Sequence, residues 1–187
     1  MNLDSSFYRR NTPEVAKALL GCLLISQIGG KNEPTSGIIV ETEAYLGERD
    51  PGSHAFRGRT PRTEPIYGEP GRAYVYLIYG KYYLLNVVTQ PVGTPGAVLI
   101  RALEPLEGIE IMKERRACQH LKDLTTGPGK LTQALGITIE HNTLDLTKDL
   151  VWIEPYITGE IQASFRIGVS DRQVLRYFIK GNPFVSR

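Results

Sequence analysis

Two carboxylates stand two residues apart in the apolar run Ile38-Ile39-Val40-Glu41-Thr42-Glu43-Ala44-Tyr45. On an extended strand alternate side chains share a face. Glu41, Glu43 and Tyr45 then point one way, and Val40, Thr42 and Ala44 the other. Like charges so placed repel, which favours a proton on one of them and suits a general base. A solvent-facing strand edge would carry the same pair, but the apolar flanks and the histidine-bearing segment that follows favour a site. Arg101 lies inside the equally apolar Ala97-Val98-Leu99-Ile100-Arg101-Ala102-Leu103. A cation there needs a carboxylate, with Glu41, Glu43 and Glu104 as candidates; a structural salt bridge would explain it as well. Asn86, within Leu84-Leu85-Asn86-Val87-Val88, is an amide that a pocket or a nearby backbone must satisfy.

Five of the ten tyrosines fall between residues 74 and 83. Two strand-like runs flank Gly80-Lys81, and glycine at the first central position predicts a two-residue type II′ hairpin turn. Tyr79 and Tyr82 would then stand at the tip beside Lys81, where a flat ring can press on an outside partner. Aromatic faces interleaved with cations suit nucleobases. From this run alone, a strand pair that packs a core is the plainer reading.

The elements that must position these residues follow from local signals. Thr12-Pro13-Glu14 predicts a helix start with Thr12 as N-cap, an apolar face of Val15, Ala18 and Leu19, and a stop at Gly21. Strands are predicted over 22–27 and 37–46, around a turn at Gly29-Gly30-Lys31-Asn32. Residues 47–71, with Pro51, Pro61, Pro65 and Pro70, read as a structureless stretch of a length that is uncommon unless functional. It carries His54, Arg57, Arg59 and Arg62, with Arg72 just beyond. Further on come a strand at 97–103, a helix at 107–117, a short helix from Gly129 to a stop at Gly136, and strands at 150–153, 163–169 and 175–179. These predict an α+β fold: a single domain over 1–187 with a curved, mainly antiparallel β-sheet and surrounding helices.

The 187 residues, 41% hydrophobic, suffice for one core. Twenty-two Lys+Arg against 20 Asp+Glu leave a net charge of +2, so this is no general polyanion binder, and any nucleic-acid surface must come from local clustering. Cys22 and Cys118 form no C-x-x-C pair and the three histidines are scattered, so no zinc spacing appears and reduced thiols are expected. The N-terminus lacks a signal-peptide core and no apolar run is long enough to span a membrane; a cytoplasmic location is expected.

The set Ile39-Val40-Glu41-Thr42-Glu43-Ala44-Tyr45-Leu46-Gly47, His54, Tyr74-Val75-Tyr76-Leu77-Ile78-Tyr79-Gly80, Asn86 and Leu99-Ile100-Arg101-Ala102-Leu103-Glu104-Pro105-Leu106-Glu107-Gly108 resembles the alkyladenine (3-methyladenine) DNA glycosylase family of the mammalian type, which also occurs in bacteria. Gly127-Pro128-Gly129-Lys130-Leu131 and Gly181-Asn182-Pro183-Phe184-Val185-Ser186 match too, so the resemblance runs from about Gly21 onward. It implies a monomeric, monofunctional base-excision repair enzyme acting on a damaged purine in double-stranded DNA, with no cofactor, no metal and no lysine nucleophile. It makes Glu43 the general base, with Arg101 and a backbone carbonyl near Ile167 holding the attacking water. It places Tyr45, His54 and Tyr76 around the flipped base, has Asn86 reject normal guanine, and makes Tyr79 the wedge that fills the duplex. Arg57, Arg59, Arg62, Arg72, Lys81 and Lys130 are candidate phosphate contacts. Lys81 stands where the mammalian pattern has methionine, and Leu85 and Val98 where it has cysteines; these departures bear on lesion preference. Two other readings are a catalytically silent nucleic-acid-binding module and a carbohydrate hydrolase built on Glu41 and Glu43.

Overall fold

The computed structural model describes residues 2–30, 32–148 and 150–186, so Lys31 of the turn expected at 29–32 lies outside it. A short helix that the sequence did not signal, α1 (Ser5–Tyr8), precedes α2 (Thr12–Ala18). The expected cap at Thr12 is displaced: Asn11 is the N-cap residue of α2, while Thr12 is buried and shares a hydroxyl–hydroxyl contact of 2.8 Å with Thr89. Tertiary packing claimed the Thr12 hydroxyl that the local motif would have used.

The strands are β1 (Leu23–Ser26), β2 (Thr35–Tyr45), β3 (Ala73–Ile78), β4 (Tyr82–Val88), β5 (Ala97–Glu107), β6 (Val151–Glu154), β7 (Ile161–Ser164) and β8 (Arg176–Ile179). They form one antiparallel sheet in the order β3-β4-β5-β2-β1-β6, with β8 also paired to β2 and β7 to β8. β2 is the hub. Its first half pairs with β1 and its second half, Glu41 to Glu43, with β8, while β5 runs along its other edge.

Helices α2, with its C-cap residue Leu19, α3 (Ile109–Arg116) and α4 (Pro128–Leu135) supply Val15, Leu19, Met112, Leu131 and Leu135 to the main core, against Leu24, Ile39, Val87, Ile100 and Leu103 of the sheet. The α4 stop at Gly136 is as expected, with Gly136 left-handed at φ 74°. No helix among the described residues is long and apolar enough to cross a membrane.

Residues 47–71 are not structureless. They hold three 3₁₀ turns, Gly47–Arg49, His54–Arg57 and Glu64–Tyr67. Ala55, Ile66 and Tyr67 are buried in a second core with Tyr74, Val88 and Ala97. Pro and Gly set a compositional signal for loop, but enough apolar side chains remained to fold the segment onto the sheet.

The hairpin turn also differs from expectation. Its central residues are Tyr79 and Gly80, at φ 53° and 64°, closed by the Lys81 N–H donating to the Ile78 carbonyl at 3.1 Å. Positive φ at both central positions is the type I′ pattern. Strand pairing ends at Ile78 and Tyr82, which leaves Tyr79 in the turn rather than in the strand.

Candidate active site

The register of β2 against β5 builds the chemical centre. Pairing steps from Ile39–Leu103 to Glu41–Ala102 and then to Thr42–Ile100, leaving Val40 and Arg101 as extra residues on opposite strands. Bulges re-aim side chains, and here they bring Arg101 between the two glutamates. Its Nε donates to Glu41 Oε1 at 3.0 Å and its Nη1 lies 3.2 Å from Glu43 Oε2. The face-sharing expected of Glu41 and Glu43 is present, but their mutual repulsion is answered by Arg101 and, on Glu41, by Arg176 Nε at 2.6 Å. The other Glu41 oxygen accepts from the Ser186 N–H at 2.6 Å. Glu41 is therefore tied to the C-terminal segment. A carbohydrate hydrolase needs carboxyls flanking the scissile bond; these two converge on one guanidinium instead.

Glu43 is fully buried. Its Oε1 accepts the Ile167 N–H at 2.6 Å and its Oε2 accepts the Tyr45 hydroxyl at 2.8 Å. Burial, then the Glu43 charge, pushes the Tyr45 phenol well above its ordinary value, so it stays protonated and donates. Tyr45, Arg101 and Ile167 line a cavity of about 520 Å³ that also meets His54, Tyr76, Asn86 and Tyr79. Glu43 stands just behind that wall and reaches it through three donors.

The aromatic side of the cavity is a cluster of edge-to-face and tilted rings. The His54 and Tyr76 rings are 4.5 Å apart between centroids, at 66°. Tyr74 and Tyr76 are 5.4 Å apart, and His54 Nδ1 lies 2.9 Å from the Tyr74 hydroxyl. His54 is exposed by surface area at the mouth, yet the tyrosines crowd its ring. That burial, then the Arg62 charge, holds its pKa below the usual histidine range. Tyr74 is buried in the second core and its hydroxyl side also lines the cavity. The signal was present in the sequence: Tyr74, Tyr76 and Ile78 are two apart and share a strand face. Asn86 is buried, and its Nδ2 donates to the Tyr74 carbonyl at 3.1 Å, which fixes it against the cavity.

Every cavity residue expected from the sequence is thus in one place. A family profile described as methylpurine-DNA glycosylase matches residues 6–183. The chain belongs to the methylpurine-DNA glycosylase family. A protein of Clostridium acetobutylicum is 47% identical over 202 aligned residues, covering all of this chain and 98% of its own length. Proteins of Bacillus cereus strain G9842 and Bacillus anthracis strain A0248 are 46% identical over 206 residues, end to end on both sides. All three are named, provisionally, as 3-methyladenine DNA glycosylases. The chain is accordingly a DNA glycosylase, a hydrolase of N-glycosyl bonds whose substrate is DNA.

Around the glycosylase cavity, Tyr79 is 88% exposed at the hairpin tip. Lys81 lies over the Tyr82 ring at 5.2 Å and Arg62 over the Tyr76 ring at 5.7 Å. Arg59 is bound to Glu64 through two contacts of 2.6 Å, Arg72 bridges Glu69 and Asp145, and Lys130 is 3.2 Å from Asp123. α4 braces the hairpin: Thr132 Oγ1 donates to the Tyr83 carbonyl at 2.7 Å, and a Cβ at Gly129 would stand 2.9 Å from that of Tyr82. Sequence reading missed Asp50, Arg166, Arg176 and Ser186. Arg166 and Arg176 fell in predicted strands and Ser186 in the C-terminal motif, but none had a task there, and only tertiary contact shows what the four hold.

Proposed function

We propose that this glycosylase excises alkylated or deaminated purines that have been flipped out of double-stranded DNA, as one catalytic domain over 1–187 acting as a monomer in the cytoplasm on nucleoid DNA. The observation that carries the reading is Glu43, pinned by Arg101, Tyr45 and the Ile167 N–H at the wall of a tyrosine-lined cavity. Base extrusion costs a few kcal/mol. Tyr79, at the exposed tip, replaces the lost stack, a contact worth about 1–3 kcal/mol. Within the cavity the base lies among Tyr45, His54 and Tyr76. Tyrosine faces attract an alkylated, cationic purine by about 0.5–2 kcal/mol when it is desolvated. Asn86 stands against the purine edge and disfavours the exocyclic amine of normal guanine.

A water beside Arg101 and Ile167 attacks the anomeric carbon. Glu43 takes its proton through Oε2, the oxygen it shares with two wall residues, and its charge favours the oxocarbenium-like sugar. A cationic alkylated base leaves without an acid, so one carboxylate suffices where ordinary glycosidases use two, whereas a neutral deaminated purine leaves only after its ring takes a proton from solvent. Arg62 and Lys81 contact phosphate, and Arg59 and Lys130 do so only by leaving Glu64 and Asp123.

Glu43→Gln keeps the shape of the side chain and removes the base. Its single-turnover release of 7-methylguanine from a duplex should fall by at least about 100-fold. Release at the wild-type rate would falsify the assignment.

A further inference from the structure

Arg166 takes no part in the chemistry above, yet it is the most heavily engaged buried cation beside it. Its side chain is fully buried behind Tyr45. Nη1 donates to the Ala44 carbonyl at 2.9 Å and to Asp50 Oδ2 at 2.6 Å; Nη2 donates to Asp50 Oδ1 at 2.6 Å and to Asp171. The guanidinium carbon lies 4.6 Å from the centroid of the Tyr45 ring. Asp50 also accepts the N–H groups of Leu46 and Gly52, at 2.8 and 2.9 Å. Burial alone would raise the Asp50 carboxyl; the Arg166 hydrogen bond and these N–H groups outweigh it and hold the pKa low. Gly52 is small for a reason: a Cβ there would stand 2.6 Å from Nη2.

Stability alone does not explain such a cluster, since buried ion pairs are often no better than apolar packing. Arg166 Nε is buried and finds no hydrogen-bond partner among the described residues. An empty buried donor costs about 1–3 kcal/mol. The guanidinium is oriented for its two other nitrogens and for the Tyr45 ring. What lies next to it gives the reason. Its chain neighbour Ile167 donates to Glu43 Oε1, and the ring it stacks on donates to Glu43 Oε2. Two of the three donors that fix the Glu43 carboxylate are therefore rooted on Arg166; the third, Arg101, comes from β5.

We propose that Arg166 is a positioning residue for hydrolysis: it clamps the end of β2 and the 47–53 segment to the connection between β7 and β8, and so holds the Ile167 N–H and the Tyr45 hydroxyl on Glu43. The proposal rests on Glu43 acting as the base. A displacement of about 1 Å at such a centre costs on the order of 100-fold in rate, so loss of the clamp appears in the chemical step rather than in DNA affinity.

Two variants disturb the clamp by different routes. Arg166→Lys keeps the charge and loses the fork, and Gly52→Ala keeps the fork and pushes it. Each should lower single-turnover release of 7-methylguanine by about ten- to 100-fold, with affinity for a duplex holding a tetrahydrofuran abasic analogue changed less than about threefold. Because both act on one clamp, the double variant should be within about twofold of the slower single variant. Circular dichroism at the assay temperature establishes that each variant is folded, and if Arg166→Lys is not, Gly52→Ala decides. Folded variants that release base within about twofold of the wild-type rate overturn the proposal, as do losses confined to affinity or losses that multiply in the double variant. If instead Glu43→Gln is fully active, the base assignment fails; fast clamp variants beside an inactive Glu43→Gln strike only the role of Arg166.

Discussion

Glu41 and Glu43 have the same side chain, share a strand face and contact one arginine, yet their surroundings give them different work. Glu41 accepts from Arg101, which the two carboxylates share, and from Arg176 and the backbone of Ser186, which do not line the cavity. Glu43 accepts from Tyr45, Arg101 and Ile167, all of which line the cavity. Removing one member of a buried ion network leaves its partners uncompensated, at about 3–5 kcal/mol. Glu41→Gln should therefore lower the melting temperature by on the order of 10 °C in a protein of this size. Glu43→Gln should lower it less, because Glu43 faces one guanidinium where Glu41 faces two, while slowing base release by at least about 100-fold. Thermal melts of the two variants side by side check the contrast; equal losses would mean that Glu43 is as structural as its neighbour. The spacing of the two residues showed that they share a face, but not which partners each would meet.

At the scale of elements, the hairpin is the part whose sequence promised most and whose detail moved furthest. Its strands, its tip and the exposure of Tyr79 follow from composition and pattern. The turn centre does not, because register depends on how β4 seats on β5 and α4. Tyr79 pays for its position with a left-handed backbone, φ 53°, which costs a non-glycine residue about 1–3 kcal/mol. Tyr79→Gly removes that strain together with the ring. The variant should melt no lower than wild type and excise a base from a fully paired duplex about tenfold more slowly. The deficit should shrink when the lesion sits opposite a mismatch, where less stacking must be replaced. A deficit that is the same in both contexts would count against a wedge. The 47–71 segment is the opposite case: Pro and Gly predicted no structure, while Ala55, Ile66 and Tyr67 anchor two of its three 3₁₀ turns and fix His54 at the cavity mouth.

For the whole molecule, a net charge of +2 means that DNA affinity rests on few cations. Arg62, Lys81 and Arg59 all lie over tyrosine rings, but of the three Arg59 is the one already held by a carboxylate, that of Glu64. Each phosphate contact contributes close to one unit to the slope of log affinity against log salt. Lys81→Ala should make that slope shallower by about 1 and weaken binding to all duplexes alike, while Arg59→Ala leaves the slope within about 0.3 of wild type. Binding isotherms at several salt concentrations test both. What the sequence determined alone was local or ordered along the chain: strand alternation that puts Glu41, Glu43 and Tyr45 on one face, the glycine stop of α4, the tyrosine hairpin, and the family through its motifs. What only the tertiary structure decided was every relation that closes through space: the paired bulges that aim Arg101, the division of labour between two identical side chains, and the Asp50–Arg166 clamp behind Tyr45. Periodicity constrains which way a side chain points. The partner it meets depends on chain segments more than a hundred residues away, as with Glu43 and Ile167, and no local pattern carries that distance.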